Sequence, residues 1–102
     1  MDTKKFNEAI ISMRRYLHQI PEIGTDLPNT KNYVITKLKE LGLSYQESPI
    51  DSAIICDIGD SNSSNIAAIR ADMDALPIQE ETGVEYASKN GNMHACGHDA
   101  HT

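Results

Sequence analysis

Apolar residues return at helical spacing over the first part of the chain. Phe6, Ile10, Met13, Leu17 and Ile20 follow one another at intervals of four, three, four and three, so they fall on one face of a helix predicted over 3–20. Asp2 or Thr3 is placed to cap its start, and Pro21 ends it by pushing the preceding residue out of the α region. A second helix is predicted from Leu27 or Pro28 to Leu41, with Asp26 as its cap. Val34, Leu38 and Leu41 lie on one face, and Gly42 serves as a left-handed terminator. Beyond Gly42 the period shortens. Leu43 to Glu47 reads as a short strand, and the β-branched run Ala53–Ile58 as a longer one. The turn formers Asp60–Asn65 separate that run from a second apolar one, Ile66–Ala71, so the pair predicts an antiparallel hairpin. From Asp72 to Asn92 the pattern is that of a loop, with at most a short strand near Glu85–Ala87, and a further helix is predicted to start near Asp99. The fold class is therefore α/β, with two helices on a partial mixed sheet that includes residues 53–58 and 66–71. Such a sheet should leave an edge strand or an apolar face uncovered.

The chain has 102 residues, which suits one domain, and carries a net charge of −6. An acidic chain without a Lys/Arg cluster argues against nucleic acid or an anionic membrane as its partner. No apolar segment approaches a membrane span, and the N-terminus lacks the apolar core of a signal peptide. Two cysteines, Cys56 and Cys96, do not make a disulfide framework, so both are read as reduced in a cytoplasmic setting.

Chemistry concentrates at the end of the chain. His94, Cys96, His98, Asp99 and His101 lie within eight residues, interleaved with the small Ala95, Gly97 and Ala100. Imidazole, thiolate and carboxylate are ligands of zinc and similar divalent metals. Cys96 and His98 are two apart, close enough to close on one ion, and His94, Asp99 and His101 are candidates to support it from behind. Asp72 and Asp74 flank Met73 just after a predicted strand, where buried carboxylates are costly unless paired, solvated or facing a cation. One could ligate and the other could hold a ligand histidine. The bland alternatives are a histidine-rich surface loop and an acidic turn. Glu80-Glu81 reads as a solvated pair, and His18, just off the apolar face of the first helix, as a structural histidine. A small non-catalytic metal-binding module and a thiol hydrolase with Cys96 as nucleophile remain open on these residues alone.

The runs Arg70-Ala71-Asp72-Met73-Asp74-Ala75-Leu76-Pro77 and Met93-His94-Ala95-Cys96-Gly97-His98-Asp99-Ala100-His101-Thr102, with Arg14-Arg15-Tyr16-Leu17-His18-Gln19-Ile20-Pro21-Glu22 before them, resemble the amidohydrolase branch of the aminoacylase/carboxypeptidase metallopeptidase family. Hippurate hydrolases, auxin-conjugate hydrolases and N-acetyldiaminopimelate deacetylases belong to that branch. The resemblance implies a di-metal exopeptidase-like catalytic domain that hydrolyses N-acyl amino acids. Cys96 and His98 match metal ligands, Asp72 an active-site acid, and Asp74 the aspartate that steadies a ligand histidine. Two divalent ions (Zn, Mn, Co or Ni), a small N-acyl amino acid substrate and a homodimer or homotetramer follow from the same resemblance. Leu27 stands where the family usually has a glutamate. The resemblance further implies that residues 1–102 are the N-terminal portion of the catalytic domain. The general base, the remaining ligands and a dimerisation domain would then lie beyond Thr102, and this portion alone would be inactive.

Overall fold

The computed structural model describes residues 2–50 and 52–102. Helix α1 spans Thr3–Gln19 and helix α2 spans Pro28–Glu40. Two short strands, β1 (Gln46–Glu47) and β2 (Ile54–Ile55), pair antiparallel with Gln46 opposite Ile55. A 3-10 turn at His98–Ala100 ends the chain where a helix is expected.

The ends of the helices follow from local chemistry. Asp2 caps α1 by accepting the N–H groups of Lys4 and Lys5. The cap of α2 is not Asp26. Its N-cap residue is Leu27, whose side chain caps nothing. Glu22 reaches across instead, and its carboxylate accepts from Asn29 N–H at 3.1 Å and Thr30 N–H at 2.6 Å. A carboxylate at a helix N-terminus satisfies orphan donors and meets the positive end of the dipole. Gly42 takes a positive φ of 71°. Its N–H donates to the Lys39 carbonyl while Leu43 N–H reaches Leu38, which closes α2 as a Schellman motif.

The sheet is smaller than the β-branched runs suggest, and its one pairing is antiparallel, not mixed. Ala53–Ile58 contributes only Ile54 and Ile55, and its partner is β1. The turn at Asp60 forms, with Asn62 N–H on the Asp60 carboxylate, but it closes no hairpin. Residues 66–71 join no strand, and Ile66 and Ile69 are 91% and 98% exposed. A run of strand-forming residues becomes a strand only where another backbone takes its N–H and C=O groups. Among the described residues no backbone hydrogen bond reaches 66–71. Glu85–Ala87 is likewise a turn, with Ala87 N–H on the Val84 carbonyl.

The apolar core is thin: among the described residues the buried aliphatic side chains are Leu17, Leu27, Ile35 and Ala75. The face of α1 is covered only at its C-terminal end, so Phe6 and Ile10 stay half exposed. On α2, Leu41 is exposed and Ile35 is buried in its place. Tyr16 and Tyr33 stack between the helices with centroids 4.2 Å apart. The connection through Pro21 and Glu22 ties helices to loops. Asn90 donates to the Pro21 carbonyl, and Ala75 N–H donates to the Glu22 carbonyl at 2.7 Å.

Candidate metal centre

The two chemistry-bearing stretches are held side by side by backbone. Leu76 and Met93 exchange both hydrogen bonds, at 3.0 and 2.9 Å, in an isolated antiparallel bridge. That bridge brings Asp72–Asp74 against Cys96–His98. Gly97 sits between the two candidate donors with φ 89°, a conformation that costs an L side chain about 1–2 kcal/mol. The reversal it makes turns His98 toward Asp74 while Cys96 stays at the surface.

His98 is half-buried, and its Nδ1 lies 2.9 Å from both the carbonyl oxygen and Oδ1 of Asp74. Two acceptors on one ring nitrogen keep a hydrogen on Nδ1, so in the neutral ring the lone pair lies on Nε2. Nε2 lies 4.0 Å from Oδ2 of Asp72. The Cys96 thiol donates to the same Asp74 carbonyl at 3.9 Å. Asp72 in turn accepts from Arg70 Nε and Nη2 at 3.0 and 2.7 Å, and these bonds hold its carboxyl below the usual range. Thr102 Oγ1 bridges the Asp72 and His98 carbonyls at 2.8 Å each.

The three remaining candidates separate. His101 is exposed, its ring tilted beside that of His98 with centroids 5.3 Å apart. His94 is buried with neither ring nitrogen hydrogen-bonded, and burial pulls its pKa down. Asp99 is buried and turns away from His98. Its Oδ2 accepts from His18 Nδ1 at 2.7 Å and from Arg14 Nε at 2.9 Å.

His18 opens a cluster that the sequence pattern passes over. Its Nε2 meets both oxygens of Glu80, at 2.9 and 3.1 Å. Glu80 is buried, in contrast to the solvated pair expected, while Glu81 is exposed. Burial pushes the Glu80 carboxyl up, but bonds from Thr82 Oγ1 (2.5 Å), Ser88 N–H (2.8 Å) and His18 outweigh it and hold the pKa at about 2. The available signal was weak: Arg14 and His18 are four apart on one helix face.

The donor set fits a soft-to-borderline divalent ion. It offers a thiol, an imidazole nitrogen aligned by a carboxylate, and a further carboxylate 4.0 Å from that nitrogen. Among the described residues no three His, Cys, Asp or Glu side chains are arranged to hold a metal ion.

The fold is similar to part of a solved peptidase. The structure superposes on a dinuclear metal-binding peptidase of the M20 family from Bacillus subtilis with a TM-score of 0.88, at 40% identity over 97% of this chain and 28% of that one. Residues 68–102 match the model of peptidase family M20/M25/M40. It is 44% identical over 96 residues to an N-acetyl-L-cysteine deacetylase of Bacillus subtilis, covering 93% of this chain and 23% of that protein. It is 45% identical over 100 residues to an N-acetyldiaminopimelate deacetylase of Oenococcus oeni, covering 93% of this chain and 26% of that protein. The chain thus spans about a quarter of the length of the curated relatives it matches.

Proposed function

We propose that this chain supplies part of the catalytic centre of a metal-dependent amidohydrolase that cleaves the amide bond of N-acyl amino acids. The observation that carries this reading is the geometry at His98. Nδ1 is committed to Asp74, which leaves Nε2 as the ring nitrogen available to an ion, and the Cys96 thiol lies against the same Asp74 carbonyl. Two relatives named as deacetylases of N-acetylated amino acids support the substrate class, and the dinuclear neighbour supports two divalent ions. A thiolate and an imidazole suit Zn, Co or Ni, and the nearby carboxylates extend the choice to Mn.

Cys96 and His98 would hold an ion, and Asp74 fixes the ring and raises its basicity as a donor. Asp72, kept ionised by Arg70 beside Nε2, contributes negative charge that a cation would neutralise. When bound, such ions supply an activated water and polarise the scissile carbonyl. The general base, the remaining ligands and a dimerisation domain are assigned to further chain, since the relatives are about four times as long. Residues 1–102 alone are therefore expected to be inactive, and the full-length protein is read as a cytoplasmic homodimer or homotetramer. The thiol-hydrolase alternative loses ground because Cys96 Sγ donates to the Asp74 carbonyl, an acceptor that cannot take its proton as a histidine base would.

The test is metal content by elemental analysis alongside hydrolysis of N-acyl amino acids, on the full-length protein and its variants. Cys96→Ala and His98→Ala should each lose tight metal binding and most activity. A Cys96→Ala protein that keeps its metal and its rate overturns the assignment.

A further inference from the structure

The loop that carries Cys96 and His98 is tied down at two consecutive residues. His98 is tied to Asp74, and the next residue, Asp99, is tied to α1 through His18 and Arg14. The Asp99 and Glu80 side chains are fully buried and that of His18 nearly so. His18 bonds a carboxylate at each ring nitrogen, so it joins the candidate loop to the 80–88 loop across sequence separations of 81 and 62 residues. Glu80 is in turn clamped by Thr82 and by Ser88 N–H.

Such a cluster is a poor source of net stability, because desolvating the charges cancels much of their attraction. A chain with few buried aliphatic residues nevertheless places it at its centre. What the cluster supplies is direction: paired charges with fixed hydrogen bonds admit few arrangements. Consecutive side chains tied to different segments fix the backbone at His98 and Asp99, directly after the left-handed Gly97 that joins it to Cys96.

We propose that His18 and Asp99 are positioning residues for the metal centre: the buried His18–Asp99 pair, braced by Glu80 and Arg14, holds the Cys96-Gly97-His98 turn in the geometry that presents its thiol and imidazole to one ion. The inference rests on the reading of Cys96 and His98 as ligands. It assigns no ligand role to Asp99 or His18.

The test uses the full-length protein loaded with Co²⁺, whose thiolate charge-transfer and d–d absorption report affinity and ligand geometry together. Asp99→Ala cuts the tether at the loop. It should weaken Co²⁺ binding about 10–100-fold, the usual cost of losing a group that orients a ligand, and should alter the absorption spectrum. Asp99→Asn keeps an oxygen facing His18 and Arg14 and should restore most of the affinity and the spectrum. His18→Gln, which can bond only one of the two carboxylates at a time, should weaken binding in the same direction. If Asp99→Ala fails to fold, His18→Gln and Asp99→Asn decide: loss in the first with retention in the second supports the pairing. Folded variants that all bind Co²⁺ with unaltered affinity and spectrum overturn the inference and leave the metal assignment standing. An unaltered protein that takes up no Co²⁺ overturns the metal assignment itself, and this inference with it.

Discussion

Asp74 does more at the candidate centre than its charge alone implies. Both its carbonyl and its carboxylate accept from His98 Nδ1. Asp74→Asn keeps the backbone acceptor and an amide oxygen but removes the charge that raises imidazole basicity. Metal affinity of the full-length protein should fall about 10-fold or more without loss of fold, as titration against a competing chelator would show. Wild-type affinity in that variant would remove Asp74 from the design. Glu80 carries a second prediction at this scale. Its pKa is about 2 in the folded chain against an ordinary value of 4.5. Between those values the unfolded chain binds more protons, so the stability this group contributes is complete above about pH 4.5 and is lost as pH falls toward 2. Urea unfolding followed from pH 5 to pH 2 should show a flatter decline for Glu80→Gln than for the unaltered chain, and equal slopes would contradict the assignment. The nearness of Cys96 and His98 to each other was legible because both sit in one short motif. The roles of Glu80 and Asp99 were not, because their partners lie 62 and 81 residues away and a loop carboxylate is ordinarily solvated.

The elements show where local pattern suffices and where it does not. Helices α1 and α2 follow from apolar spacing, Pro21 and Gly42, since helical hydrogen bonds close within the segment. The cap of α2 was hidden because Glu22 acts from outside the usual position, over seven and eight residues. Glu22→Ala should therefore destabilise the chain by about 1.5–3 kcal/mol, the range for hydrogen bonds to a charged group. Glu22→Gln should cost less. Thermal unfolding of the two variants checks the order, and a Glu22→Ala chain as stable as the original would refute the remote cap. Strands behave differently, because their hydrogen bonds go to another segment. The run at 66–71 has the composition of a buried strand and no partner among the described residues, so composition there outran structure.

For the whole molecule the unpartnered surface has a measurable consequence. Ile58, Ile66 and Ile69 are each more than three-quarters exposed. The radius of gyration is 15.0 Å, against about 13 Å for a compact domain of this size. An extended run with no backbone partner among the described residues and isoleucine on its surface is a template for another strand. Charge opposes that pairing: the chain carries −6 at pH 7, and its pI is near 5.0. Residues 1–102 in isolation should therefore self-associate, weakly at pH 7 in low salt and more strongly as salt screens the repulsion or as pH approaches 5. Replacing Ile66 and Ile69 together by lysine removes apolar surface and puts cations on the edge, a device native edge strands use. Since it also brings the net charge to −4 (−6 + 2), a control with two lysines on the exposed face of α1 separates edge chemistry from charge. Light scattering across salt and pH should show association abolished in the 66/69 variant and retained in the control. A monodisperse monomer under all conditions, or equal loss of association in both variants, would show that 66–71 is not the adhesive edge.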